Sequence, residues 1–154
     1  MPRVLISDKM SALAAECFER RGVDVDVKTD LSPQELVDCI GDYDGLAIRS
    51  STTVTPDVLA AAGNLKVVGR AGIGVDNVDV AAATAHGVVV MNTPFGNAIT
   101  TAEHAISMML ALARQIPQAN QSTHAGKWEK SRFMGVELMN KVLGVIGCGN
   151  IGAI

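Results

Sequence analysis

The sequence predicts an α/β protein: a parallel, doubly wound sheet of five strands, followed from Asn97 by a segment of different character. Short β-branched runs alternate with helical apolar stripes up to about Asn92, and most of the helical stripes open on a capping signal. At Asn97 the alternation gives way to a long stretch in which almost every residue is apolar or small.

Strands are expected at residues 4–6, 23–27, 45–48, 65–68 and 88–91, each a short run rich in Val, Ile or Leu. After the first, residues 11–21 place Leu13, Ala14, Cys17 and Phe18 on one helical face and charges on the other. Ser32-Pro33-Gln34-Glu35 reads as a capping box with proline at the first helical position, where its missing N–H is not needed. Leu36, Val37 and Ile40 follow on one stripe. Thr55-Pro56-Asp57 opens a third helix in the same manner. Asp79 caps a fourth over residues 80–86, and Gly87 ends it at the position that favours a left-handed backbone. Right-handed crossovers then gather the loops that follow the strands at one end of the sheet.

From Ala98 to Ala113 the helical stretch has no broad polar face, so burial on several sides is expected, between domains or between subunits. Pro117 breaks or restarts it and Gly126 ends the second piece. Lys127-Trp128-Glu129-Lys130-Ser131-Arg132-Phe133 is expected as an extended arm carrying the one Trp, and a further strand is expected at residues 141–146.

The chain has 154 residues, 48% of them hydrophobic and 19% charged, which is a globular composition. A net charge of −3 argues against non-specific nucleic-acid binding, which needs a basic face. An anionic ligand would have to be held by locally placed Arg or Lys. The longest apolar stretch, residues 107–113, is too short to span a bilayer, and the N-terminus lacks the long apolar core of a secretory signal. No membrane partner and a cytoplasmic location are therefore expected. Cys17, Cys39 and Cys148 are odd in number and far apart, as three reduced thiols would be.

Gly147-Cys148-Gly149-Asn150-Ile151-Gly152 is a GxGxxG motif directly after the expected last strand. Its first glycine permits a tight turn, its second lets the backbone approach a pyrophosphate, and its third lets the following helix pack closely. The acidic residue that would confirm it, about 20 positions on, falls beyond Ile154. Gly72 and Gly74, within Gly69-Arg70-Ala71-Gly72-Ile73-Gly74-Val75-Asp76-Asn77, can present backbone N–H groups to an anion or form an ordinary strand-to-helix turn. Arg49, beside Ser50, Ser51 and Thr52 just past the third strand, can hold a carboxylate or phosphate or lie solvated on the surface. Asn97 is placed to cap the long helix. His86, His104 and His124 have no partners at metal or triad spacing, so no metal site and no catalytic residue is assigned. A receiver-type signalling domain is disfavoured: Asp8 partly fits an acidic cluster, but Arg49 stands where a phosphoacceptor Asp is needed, and no Lys lies near Asn92.

Taken together, these segments resemble the D-isomer-specific 2-hydroxyacid dehydrogenases. The resemblance rests on Ile48-Arg49-Ser50 with Thr52, on the run from Val68 through Arg70-Ala71-Gly72-Ile73-Gly74-Val75-Asp76-Asn77 to Asp79, and on Asn92-Thr93-Pro94 with Gly96-Asn97. It continues through Ala102-Glu103-His104, Leu112-Ala113-Arg114, Gly126-Lys127-Trp128-Glu129, Phe133-Met134-Gly135 and the glycine motif, in one order along essentially the whole chain. It implies a flavodoxin-like parallel five-stranded substrate domain over residues 1–97. Residues 98–154 would be the start of a Rossmann NAD-binding domain, with its first helix and strand, incomplete at the glycine motif. Arg49, Ser50, Gly72, Ile73, Gly74 and Asn97 would line the substrate side. Ile73, Gly147, Gly149, Asn150, Ile151 and Gly152 would lie at the cofactor, NAD. The Ala98–Ala113 helix and the Trp128 arm would form a homodimer contact, with Lys130 or Arg132 reaching the partner's site. The implied reaction is hydride transfer between the hydroxyacid and NAD, with the family's His, acidic partner and orienting Arg expected beyond Ile154.

Within the family the nearest match is to members acting on a small anionic phosphohydroxyacid. The alternatives are a relative acting on glyoxylate, hydroxypyruvate, lactate or formate, or a folded, dimerising module without catalysis.

Overall fold

Strand β1 (Arg3–Ile6) lies inside a five-stranded parallel sheet, and its Val4, Leu5 and Ile6 are all buried. The other strands of this computed structural model, which describes residues 1–154, are β2 (Asp24–Val27), β3 (Gly45–Ile48), β4 (Val67–Arg70) and β5 (Val89–Asn92). Their order across the sheet is β2-β1-β3-β4-β5, every pair parallel, as the expected alternation requires. A strand buried on both faces reads as a continuous apolar run, and β1 and β3 are such strands. The edge strands β2 and β5 expose Val27, Val89 and Met91.

The helices are α1 (Ala12–Glu19), α2 (Pro33–Cys39), α3 (Pro56–Ala61) and α4 (Val80–Ala85). Their caps form as the residues dictate. Ser32 and Glu35 make a reciprocal capping box, Thr55 accepts from the Val58 N–H, and Asp79 accepts from the Ala82 N–H. Gly87 closes α4 at φ +70°. Strand β4 starts two residues later than expected, because the Leu65 N–H bonds to the Ala62 carbonyl and completes the turn out of α3. Strand β5 starts one residue late for a similar reason, since the Val88 N–H closes α4 on the Ala83 carbonyl. Helix α1 buries no residue fully: Leu13 and Cys17 of the expected stripe are exposed, and Ala14 and Phe18 are half-buried.

One core unites Leu5, Leu46, Ile48 and Val68 of the strands with Leu36, Ile40, Val58, Leu59 and Ala83. Burying each of the larger side chains contributes about 1.5–3 kcal/mol. By internal contacts the chain divides into a unit of Met1–Gly96, which holds this sheet, and a unit of Asn97–Ile154.

The second unit contains α5 (Ala98–Ala113), α6 (Ile116–His124) and a 3-10 turn at Lys130–Phe133. Two sequence expectations, the extended arm and the last strand, are corrected here. Helix α5 buries only Ala98 within this chain, and its Ile99, Met108 and Leu112 are more than half exposed. The arm is bent rather than extended, since Glu129 accepts from the Ser122 hydroxyl at 2.6 Å and pairs with Arg132 at 3.3 Å. Residues 141–146 form no strand: a strand exists only through a neighbouring ladder, none pairs with it, and Val142 and Ile146 are fully exposed. No helix is long and apolar enough to cross a membrane.

Candidate functional site

In the first unit the sheet order reverses between β1 and β3, where successive connections leave toward opposite edges. Open parallel sheets bind ligands at such a point, beyond the carboxyl ends of the strands. Ser7, Asp8 and Lys9 follow β1 there, residues 49–52 follow β3, and a hollow of about 240 Å³ is lined by both groups together with Asp30 and Leu31.

Asp8 organises this end of the sheet. It is 4% exposed. Its Oδ2 accepts the backbone N–H of Arg49 at 2.5 Å, of Ser51 at 3.2 Å and of Thr52 at 3.3 Å, and its Oδ1 accepts the Thr52 hydroxyl at 2.7 Å. Burial by itself would raise the Asp8 pKa; the bonds from the Thr52 hydroxyl and from the Arg49, Thr52 and Ser51 amides outweigh it and hold the carboxyl below the ordinary aspartate value. Arg49 is anchored by its backbone, and its guanidinium donates only to the Lys9 carbonyl, at 3.1 Å. Ser50 is exposed beside it. A bidentate cation next to a hydroxyl suits a carboxylate or phosphate.

The glycine loop after β4 joins this cluster through Arg70, whose side chain is only 12% exposed. Its Nε donates to the Arg49 carbonyl at 3.1 Å, its Nη1 donates to the Gly74 carbonyl, and its Nη2 lies 3.6 Å from Asp76. A Cβ at Gly72 would stand 3.1 Å from Nη1 of Arg70, and one at Gly74 would stand 2.8 Å from the Asp76 carboxylate. The loop thus wraps closely over the guanidinium. Asn92, at the end of β5, donates to the Ile73 carbonyl at 2.7 Å. Of the two expected anion donors, the Gly72 N–H is occupied by the Arg70 carbonyl and that of Gly74 is unpaired, as is the N–H of Ile73 between them.

Arg49, Ser50, Gly72, Ile73 and Gly74 therefore sit on adjoining strand ends linked by shared hydrogen bonds. Asn97 belongs to the second unit and occupies the N-cap position of α5, but its side chain makes no capping bond. The expected side-chain cap is therefore absent: the Asn97 carbonyl accepts the N–H of Thr101 as the first helical bond, and the Thr101 hydroxyl as well. The side-chain amide is left free.

In the glycine motif Gly147 has φ +95°, a conformation suited to glycine, and a Cβ at Gly152 would collide with the Gly147 carbonyl. The Ala153 N–H donates to the Gly149 carbonyl at 3.0 Å, so a first helical turn forms even without the strand before it. No group of His, Cys, Asp and Glu is disposed to hold a metal ion. His86 and His124 bond through Nδ1 to backbone carbonyls four residues back, and no histidine meets a carboxylate.

The family model for the D-isomer specific 2-hydroxyacid dehydrogenase catalytic domain matches residues 4–149. The chain belongs to that family. Among its relatives, D-3-phosphoglycerate dehydrogenase of Archaeoglobus fulgidus is 50% identical over 97% of this chain, and that of Sus scrofa is 53% identical over the same share. The chain spans 28% of the length of each. Among solved structures, the NAD+-bound 3-phosphoglycerate dehydrogenase of Entamoeba histolytica superposes with a TM-score of 0.78 at 28% identity, over 99% of this chain and 48% of that one.

In this member of the family, sequence reasoning named Arg49 and the glycines but missed the residues that hold them: Asp8, Arg70, Asn77 and Asn92. All four lie in or beside loops that follow strands, which was the one available signal. Nothing in the sequence indicated which backbone atoms they would bond.

Proposed function

We propose that this chain supplies the substrate-side loops and the glycine motif of a dehydrogenase that oxidises D-3-phosphoglycerate to 3-phosphohydroxypyruvate with NAD, the first step of serine biosynthesis. The carrying observation is that the relatives sharing half of its residues across nearly its whole length are D-3-phosphoglycerate dehydrogenases. The chemistry of the strand ends supports it. In a protein of net charge −3, a doubly anionic phosphohydroxyacid needs local cations, and Arg49 presents a largely uncommitted guanidinium next to Ser50.

The first unit, as a flavodoxin-like substrate domain, would contribute Arg49, Ser50, Gly72, Ile73 and Gly74 to the hydroxyacid. The second, as the start of a Rossmann domain, would contribute Asn97 with its free amide. Arg49 pairs with the carboxylate or phosphate, and the unpaired Ile73 and Gly74 amides serve as further anion donors.

The glycine motif fits a dinucleotide. The left-handed Gly147 suits the tight turn, and the lack of room for a Cβ at Gly152 suits the close packing of the turn that follows, which are the first and third glycine roles of such a motif. Gly147, Gly149, Asn150, Ile151 and Gly152 would hold NAD, with Ile73 at its edge. When bound, NAD supplies the hydride acceptor. Proton removal from the hydroxyl needs a base, and no histidine of this chain carries the carboxylate partner such a base uses. By itself the chain binds without turnover.

A homodimer through α5 and the Trp128 arm, and a cytoplasmic location, belong to the same proposal. They are supported by the exposed Met108, Leu112 and Trp128 and by three free thiols. Within the arm Arg132 is paired to Glu129, which leaves Lys130 the freer cation to reach a partner.

Calorimetric titration of the chain with D-3-phosphoglycerate, D-lactate, glyoxylate and formate tests the substrate. D-3-phosphoglycerate should bind tightest, Arg49→Ala should weaken it about 10- to 100-fold, and no NADH should form. Preference for an unphosphorylated acid would move the chain to another branch of the family, and indifference to Arg49→Ala would remove the site.

A further inference from the structure

The backbone of residues 49–52 is gripped on both faces by side chains from elsewhere in the first unit. On the amide side, Asp8 takes the N–H groups of Arg49, Ser51 and Thr52 together with the Thr52 hydroxyl, which also lies 2.9 Å from the Ser7 hydroxyl. On the carbonyl side, the Asn77 amide donates to Arg49 at 2.8 Å and to Thr52 at 2.6 Å. The same segment brings Val54 and Val78 into a parallel bridge.

Asp8 cannot itself be a ligand contact. It is almost wholly buried and both of its oxygens are engaged. A carboxylate beneath a cation that must attract anions works against binding, so its presence needs another cause. Fixing a residue's backbone costs about 1–2 kcal/mol in conformational entropy. A turn already fixed in the free protein does not deduct that cost from ligand affinity. Three backbone donors and a hydroxyl take the place of water around the ionised carboxylate while they freeze the turn.

We propose that Asp8 and Asn77 are positioning residues that preform the Arg49–Ser50 turn for an anionic substrate group, Asp8 fixing its amide side and Asn77 its carbonyl side. This rests on Arg49 and Ser50 being substrate-binding residues. Asp8→Asn keeps an acceptor for the three N–H groups and offers an amide donor to the Thr52 oxygen, whose own proton can turn to Ser7. Asp8→Ala keeps neither.

The test uses the 154-residue chain with two readouts: amide hydrogen exchange at Arg49, Ser51 and Thr52, and titration with 3-phosphoglycerate followed by nuclear magnetic resonance at the same amides. Asp8→Ala should speed exchange at those amides at least about tenfold and weaken the 3-phosphoglycerate response to a similar degree, and Asp8→Asn should restore both. Unchanged exchange in Asp8→Ala, or no rescue by Asp8→Asn, overturns the positioning role whatever ligand binds. A wild-type chain that ignores 3-phosphoglycerate removes the substrate assignment whatever the exchange shows. Should Asp8→Ala fail to fold, Asn77→Ala decides: a response weakened about tenfold with the sheet intact supports the proposal, and an unaltered response ends it.

Discussion

The side-chain amide of Asn92 donates to the backbone carbonyl of Ile73 at 2.7 Å, tying the end of β5 to the middle of the glycine loop that follows β4. The Thr93 N–H adds a second tie, to the Gly72 carbonyl at 2.9 Å. Two neighbouring strand ends thus share one loop conformation.

Asn92→Ala should lower unfolding stability by no more than about 1 kcal/mol, the net value of a solvent-accessible hydrogen bond. Hydrogen exchange at Gly72 and Thr93, whose N–H groups are bonded within this tie, should quicken while that of the β4 interior stays slow. Equal acceleration along β4 would show that the bond supports the sheet rather than the loop.

Ile48 is fully buried at the last position of β3, directly before Arg49. Ile48→Ala should cost about 2–5 kcal/mol, the transfer term plus the cavity left behind. Urea unfolding measures it, and a loss below about 1 kcal/mol would mean that the core under the site collapses to fill the space.

Acid sensitivity should follow Asp26 and Asp8. Asp26 is held below its ordinary pKa first by the Tyr43 hydroxyl, at 2.7 Å, then by Arg3 and Lys28, while partial burial opposes them. Asp8 is lowered by the bonds described above. A carboxylate depressed in the folded state binds fewer protons than its unfolded counterpart, so stability rises with pH across the gap between the two values. The contribution is complete above about pH 4, near the unfolded aspartate value, and fades as the pH falls through the lower folded values. Tyr43→Phe should lower stability at neutral pH and flatten this acid limb, as read from urea midpoints between neutral pH and pH 3. An equally steep limb would take Tyr43 out of the mechanism.

The apolar surface of α5 should drive association. Ile99, Met108 and Leu112 are 64%, 58% and 78% exposed on one helix, more apolar surface than a monomer usually leaves uncovered. Sedimentation velocity should show dimers or larger species at micromolar concentration, and Met108→Glu with Leu112→Glu should shift them to monomer. A monomeric wild-type chain would contradict the assignment of α5 to an interface.

The first unit was largely legible because its signals are local. Ser32 with Glu35, Thr55 with Pro56, and Asp79 with Gly87 each set a helix end within a few residues. The errors arose where the deciding partner was distant or missing. Leu65 was read as strand because it is apolar, yet it fills the core from a turn. Residues 141–146 carry a strand pattern that no ladder answers.

The sequence alone determined the strand and helix types, the order of the loops, the family likeness and the glycine positions, all of which depend on residue identity and short spacing. Only the tertiary structure decided that Asp8 lies beneath Arg49 and that Arg70 bonds to both Arg49 and Gly74, across 41, 21 and 4 positions of chain. Parallel pairing brings strand ends together without regard to their separation in sequence, and which atoms then meet depends on the register of the sheet.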